Sequence, residues 1–281
     1  MSKRHEAEHH LKALGEIRHI MGSMKTLAML ETRKLTRFLA TQQQVVRDIE
    51  VMAADFRSFF PMAPVLPPGD ARHVYLLLGS ERGFCGDFNE MLLHTLDDRL
   101  RQDRVDDPLL VAVGRKLEAR LAGDARLVVL IDGANVAEEV ETVLGRLVHE
   151  LGLLQERHGP FRLTVVYHAV EGDRVQVESL LPPFQQIEPA PSSGYEPGLN
   201  LAPDTFFAEM LDQYLFAGLY ALVYTSLMAE SRRRMQHLEG AINRLDKQVS
   251  ALTLKRNTLR QEEITEEIEV ILLSAKAVQQ G

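Results

Sequence analysis

The sequence predicts an α/β chain in which long N- and C-terminal helices form an antiparallel two-helix coiled coil and the middle forms a Rossmann-like α/β domain with a mostly parallel sheet. Three observations carry this. A seven-residue apolar repeat runs from Leu14 to Phe59, short apolar runs separated by helical stretches fill the middle, and from Asp204 the helical pattern returns with no further proline. A heptad repeat held this long winds left-handedly about a partner helix. Alternating strand and helix signals build parallel sheets.

The elements follow in order. One heptad column reads Leu14, Met21, Ala28, Leu35, Gln42, Ile49, Phe56; the column three residues on reads Ile17, Met24, Glu31, Phe38, Val45, Met52, Phe59; twelve of these fourteen positions are apolar. This is a rod of roughly 70–80 Å. It ends at prolines 61, 64, 67 and 68. Strand-length apolar runs then occur at His73–Gly79, Leu109–Gly114, Leu127–Asp132 and Leu163–His168, with helices expected over Asn89–Arg101, Arg115–Ala122 and Val136–Arg157. A further strand near Val175–Leu181 leads into the loop-forming stretch Pro182–Pro203. Asp204 is the expected N-cap of the last helix. In that helix Met235, Ile242, Val249 and Arg256 form one column and Leu238, Leu245, Leu252 and Leu259 the other. Beyond Leu259 the phase slips to Ile264, Ile268, Ile271, Ala275 and Val278, the discontinuity that rewinds a coiled coil locally. The expected division is 1–60 for the first helix, 61–203 for the α/β domain and 204–281 for the second helix. Because one rod enters the domain and the other leaves it, the two must pair antiparallel, with the second some twenty residues longer.

Composition narrows the function. The 281 residues carry a formal charge of −8, which disfavours a polyanion-binding protein. The acidity is concentrated: residues 60–203 hold 13 Lys and Arg against 22 Asp and Glu. Cys85 is the only cysteine, so no internal disulfide exists, and a reducing compartment is expected. Apolar runs are of core-strand length, and the polar N-terminus lacks the apolar middle of a secretory signal. Membrane association is therefore expected through a partner.

The glycine-rich loop Gly79–Asn89 follows the first strand, where phosphate-binding loops occur, but it matches neither nucleotide fingerprint and has no lysine. A tight structural turn is the favoured reading, with Cys85 as a small core residue. His5, His9, His10 and His19 have no supporting ligand pattern and read as a solvated terminus. The triplet Arg232-Arg233-Arg234 reads as solvated helix surface or as a contact to an acidic loop. The run Glu262, Glu263, Glu266, Glu267, Glu269 covers most faces of its helix, so at least one carboxylate is expected to meet a neighbouring helix or a partner.

Three separated motifs carry a family resemblance. Met24-Lys25 opens a stretch similar to the N-terminal signature of the gamma subunits of rotary, F-type ATP synthases. Ser80–Asn89, containing Glu81, Arg82, Gly83, Cys85 and Gly86, resembles that family's central loop, and Val113–Lys116 also has a counterpart there. Arg260-Gln261-Glu-Glu-Ile264-Thr265 is similar to its C-terminal Arg-Gln-x-x-Ile-Thr motif. The resemblance implies a non-catalytic central-stalk rotor with no cofactor or metal of its own. Its helices would turn within a head of alpha and beta subunits, and its α/β domain would bind the epsilon subunit and the membrane rotor ring. The complex would lie at the cytoplasmic face of a bacterial cell membrane and couple proton or sodium flow to catalysis in beta. Met24, Lys25, Arg260 and Gln261 are the implied contacts to beta. The sequence departs from the pattern at Met29, Leu30 and Glu31, where small residues are usual, and at Glu262 and Glu263. Those departures point to a divergent branch, such as an alternative bacterial rotary ATPase that pumps sodium. The rival readings are a nucleotide-binding α/β module or enzyme and a cytosolic coiled-coil scaffold whose rods pair between chains.

Overall fold

A computed structural model describes residues 3–60, 71–171, 174–184 and 198–279, with side chains as far as 272. The elements are α1 (Lys3–Phe59), β1 (Arg72–Leu78), α2 (Phe88–Asp103), β2 (Leu109–Val113), α3 (Glu118–Leu121), β3 (Leu127–Ile131), α4 (Val140–His158), β4 (Phe161–His168), β5 (Val175–Leu181) and α5 (Pro203–Gln279). Single 3₁₀ turns precede α3 and α4. The expected proline break at 61–69 and most of the loop after β5 lie outside the described residues, as do the side chains of Ala275 and Val278. The chain divides into two compact units, Ala28–Arg234 and the pair Met1–Leu27 with Met235–Gly281.

In the larger unit a five-stranded sheet has the order β3-β2-β1-β4-β5. β1 pairs in parallel with β2 and β4, β2 in parallel with β3, and only β5 runs antiparallel, against β4. The central strands β1 and β2 read as apolar runs because both their faces are covered, whereas Val128 and Leu130 of the edge strand β3 are 41% and 37% exposed. Val74, Leu76 and Leu78 of β1 face a core shared with α1, α4 and α5, whereas Tyr75 and Leu77 face α2 and the short α3. All five are almost fully buried, each worth roughly 1.5–3 kcal/mol relative to exposure if fully withdrawn from water. Phe56 of α1 stacks on Phe207 of α5 at 5.9 Å, and Phe38 on Tyr224 at 5.8 Å. Advancing along α1 therefore means retreating along α5, the signature of antiparallel packing.

The smaller unit shows the same sense of pairing. Arg4 meets Glu263 at 3.3 Å, Arg18 meets Asp246 at 2.5 Å, and Lys25 meets Glu239 at 2.8 Å. All eight expected seam positions between Met235 and Leu259 are buried or half-buried, with Leu238 completely so. Since Glu263 already faces the first turn of α1, α5 continues past the start of its partner, as the length difference predicts.

Two expectations need correction. In α1 the first column is buried apart from the half-buried Gln42, but the second is not the other half of the seam. Ile17 is 46% exposed, Phe38 42%, Val45 40% and Met52 43%. The covered partners in the larger unit lie four residues on, at the buried Leu39 and Ala53 and the half-buried Val46 and Phe60, all of which pack into the core. From Phe38 onward the columns three and four residues on are both apolar, and there only tertiary packing chooses between them. The second correction concerns Asp204. It is not the N-cap: α5 opens at Pro203, whose fixed φ suits the first helical position, and Asp204 lies within the first turn, where its charge complements the helix dipole.

Candidate functional site

The loop between β1 and α2 emerges at the carboxyl end of the central strand, where the strand order reverses between β1 and β4. Doubly wound sheets place ligands at this switch point. Here another part of the chain already occupies it. The backbone N–H groups of Glu81 and Arg82 donate to the two carboxylate oxygens of Glu230, at 3.2 and 3.1 Å. Glu230 stands on α5, is 3% exposed, and pairs with Arg234 one turn on. Arg234 also donates through Nε to the carbonyl of Gly83 at 3.2 Å. Burial pushes the Glu230 carboxyl up, opposed by Arg234 and by the two N–H donors.

Glu81 extends the network. Its carboxylate accepts from the backbone N–H of Gly133 at 2.7 Å and of Arg115 at 2.9 Å, and Arg115 Nε lies 3.5 Å away. The loop thus ties the ends of β1, β2 and β3 together. Gly114, at φ +111°, makes the approach possible, because a Cβ there would stand 2.7 Å from the carbonyl oxygen of Gly79. Gly86 adopts φ 64° to turn the chain into α2. Asn89, in the first turn of α2, accepts from Ser80 N–H at 3.0 Å and donates to Ser80 Oγ at 2.9 Å. Arg82 Nε reaches Asn135 Oδ1 at 2.7 Å.

Cys85 is buried, with its thiol directed at the carbonyls of Arg82 and Gly83, each 3.5 Å away. Burial, assisted by the Glu230 charge, pushes its pKa up to about 12. A thiol in that state is a poor nucleophile at neutral pH. The cavity beside Glu230, lined also by Gly79, Gly133 and Ser226, holds about 20 Å³, space for roughly one water.

The arginine triplet is likewise used within the chain. Arg232 donates to the Val170 carbonyl at 3.1 Å, Arg233 pairs with Asp87 at 2.9 Å, and Arg234 is the partner of Glu230. Sequence reasoning identified the loop and the triplet but missed Glu230. The available signal was an acid interrupting the apolar run before Arg234, spaced so that both side chains share one helix face.

The other motif residues are not brought together. Met24 is half-buried, and Lys25 is tied to Glu239, whereas Arg260 and Gln261 are exposed about six turns further along α5, roughly 30 Å at helical rise. Of the acidic run, Glu263 meets Arg4, as expected for at least one of those carboxylates. The departure at Glu31 also has a structural use: its carboxylate accepts from Ala137 N–H at 3.4 Å, at the start of the turn leading into α4, and Lys34 pairs with Glu138 beside it.

A family model described as ATP synthase matches residues 3–278 of this chain. The chain belongs to the ATP synthase gamma-subunit family. Among relatives of the gamma family, the ATP synthase gamma chain of Clostridium botulinum (strain Langeland) is 23% identical over 273 residues, covering 95% of both chains. That of Caldanaerobacter subterraneus is 23% identical over 288 residues, covering 94% of this chain and 96% of its own. The fold is similar to a chain of Euglena gracilis mitochondrial ATP synthase solved with OSCP, F1 and c-ring in rotational state 3, with TM-score 0.68, 14% identity, and 99% and 95% of the two chains covered. A Euglena rotor chain in rotational state 1 aligns with TM-score 0.63 at 12% identity, covering 93% and 98%. Gamma chains are non-catalytic subunits of the synthase, in keeping with a switch point filled by a carboxylate of the chain itself.

Proposed function

We infer that this chain is the central-stalk rotor of an F-type ATP synthase, coupling ion flow through a membrane ring to conformational change at beta-subunit catalytic sites. The observation that carries the reading is the antiparallel pairing of α1 with α5 in a chain matched by the gamma family over nearly its whole length. In this role residues 1–60 and 204–281 supply the paired helices within a ring of alpha and beta subunits. Residues 61–203 supply the sheet that engages the epsilon subunit and the rotor ring. Met24, Lys25, Arg260 and Gln261 are proposed contacts to beta, and the location is the cytoplasmic face of a bacterial membrane.

The rival readings have less support. The loop N–H groups that would cradle a phosphate are held by Glu230, which disfavours a nucleotide module. The ion pairs joining α1 and α5 within one chain disfavour a scaffold paired between chains. The test is affinity capture of the tagged chain from native membranes, with the captured proteins identified. Alpha, beta, epsilon and ring subunits in stoichiometric amounts are expected; recovery of the chain without them would overturn the reading.

A further inference from the structure

We propose that Glu230 is a positioning residue for mechanical coupling: by seating its carboxylate in the N–H groups of Glu81 and Arg82, it fixes the rotational setting of α5 against the strand ends of the sheet. The proposal rests on the rotor reading and adds the joint through which that rotor carries torque.

The contacts around α5 differ in what they resist. Leu222, Val223, Leu227 and Met228 bury apolar surface in the core that α5 shares with the sheet, α1 and α4. Such contact is non-directional: it opposes separation but discriminates weakly among small rotations of a helix about its axis. Hydrogen bonds do discriminate, because they weaken steeply with angle. Four such contacts converge here. Two N–H groups of one loop address the two oxygens of a single carboxylate, Arg234 closes the pair from the next turn, and its Nε holds the Gly83 carbonyl. Ser226, one turn before Glu230, adds a bond from Oγ to the carbonyl of Leu78 at 3.0 Å, at the last residue of β1.

The setting is then distributed. Glu81, whose own N–H is held by Glu230, uses its carboxylate to engage Gly133 just after β3 and Arg115 just after β2. Withdrawing Glu230 would strand the buried N–H of Glu81, the part-buried N–H of Arg82 and the charge of Arg234, a 6% exposed side chain. Removing one partner of a buried pair costs far more than the pair's net contribution to stability. Slippage at this joint is therefore strongly opposed, while the surrounding apolar packing holds the elements in contact. Cys85 reports on the arrangement, since its thiol lies beneath the same loop, 4.0 Å from the backbone oxygen of Glu230.

The experiment uses Glu230→Gln in the assembled membrane complex, with Glu230→Asp as the conservative variant. Two quantities are read: ions translocated per ATP hydrolysed, and the rate of Cys85 alkylation. Complexes of normal subunit content carrying Glu230→Gln are expected to translocate roughly threefold fewer ions per ATP and to alkylate about tenfold faster, with Glu230→Asp recovering most of both. An unchanged ratio of ions to ATP overturns the proposal, whether or not alkylation accelerates, because the joint would then be dispensable for torque. If Glu230→Gln fails to assemble, Arg234→Lys is read in its place: a reduced ratio supports the proposal and an unchanged one overturns it. Failure of the rotor reading is distinguishable, since the wild-type chain would then be absent from the coupled complex.

Discussion

At the scale of single residues, charge is used inside this chain according to how deeply it lies. Asp246 on α5 and Arg18 on α1 are exposed, yet the guanidinium holds the Asp246 carboxyl below the usual carboxylate range. A depressed folded-state pKa gives a contribution that is complete above the unfolded value and lost as pH falls through the folded one. The pairing of the two helices should therefore weaken below about pH 4. Comparing thermal melts of the wild type and Asp246→Asn should show a gap at neutral pH that closes on acidification and narrows with added salt. A gap independent of pH would mean that this ion pair contributes nothing. Glu230 is the buried counterpart. Its carboxylate is committed to three partners, and its place in the loop was invisible in the sequence because 149 positions separate it from Glu81.

At the scale of elements, the seam of α1 gives a direct test of register. Leu35 is completely buried, and Leu35→Ala should destabilise the chain by roughly 2–5 kcal/mol. Val45, 40% exposed, belongs to the column displaced from the seam, and Val45→Ala should change stability of the isolated chain by about 0.5 kcal/mol or less. Urea denaturation of both variants measures this, and equal losses would restore the column rejected above. The central strands were legible because cover on both faces shows as uninterrupted apolar runs, and all five strands fall within a residue or two of the expected spans. The helix seam was legible as a period but not as a phase. Phe38, Val45 and Met52 satisfy a heptad as well as Leu39, Val46 and Ala53 do, and only the position of α5 decides which row is covered. The candidate site divided in the same way: local turn chemistry revealed the loop, while its partner depended on a helix that starts more than a hundred residues later.

At the scale of the whole molecule, the three sequence motifs resembling the gamma family prove to be structurally unequal. The central loop is an internal fastening, with its polar groups satisfied by the chain itself. Arg260 and Gln261 instead lie exposed on α5. Reversing the charge at Arg260 should leave the fold of the isolated chain intact while impairing coupling or assembly of the complex. The check is a comparison of the melting temperature of Arg260→Glu alone with ATP-driven ion translocation by the complex containing it. Wild-type coupling would remove Arg260 from the proposed contacts. The stretch of α5 beyond Glu263 extends this contrast. Ile264, Ile268 and Leu272, four residues apart along one side of that stretch, are between 46% and 57% exposed. Oily side chains stacked a turn apart make one greasy flank along the spindle, and a single apolar trough laid lengthwise against it would hide all three at once.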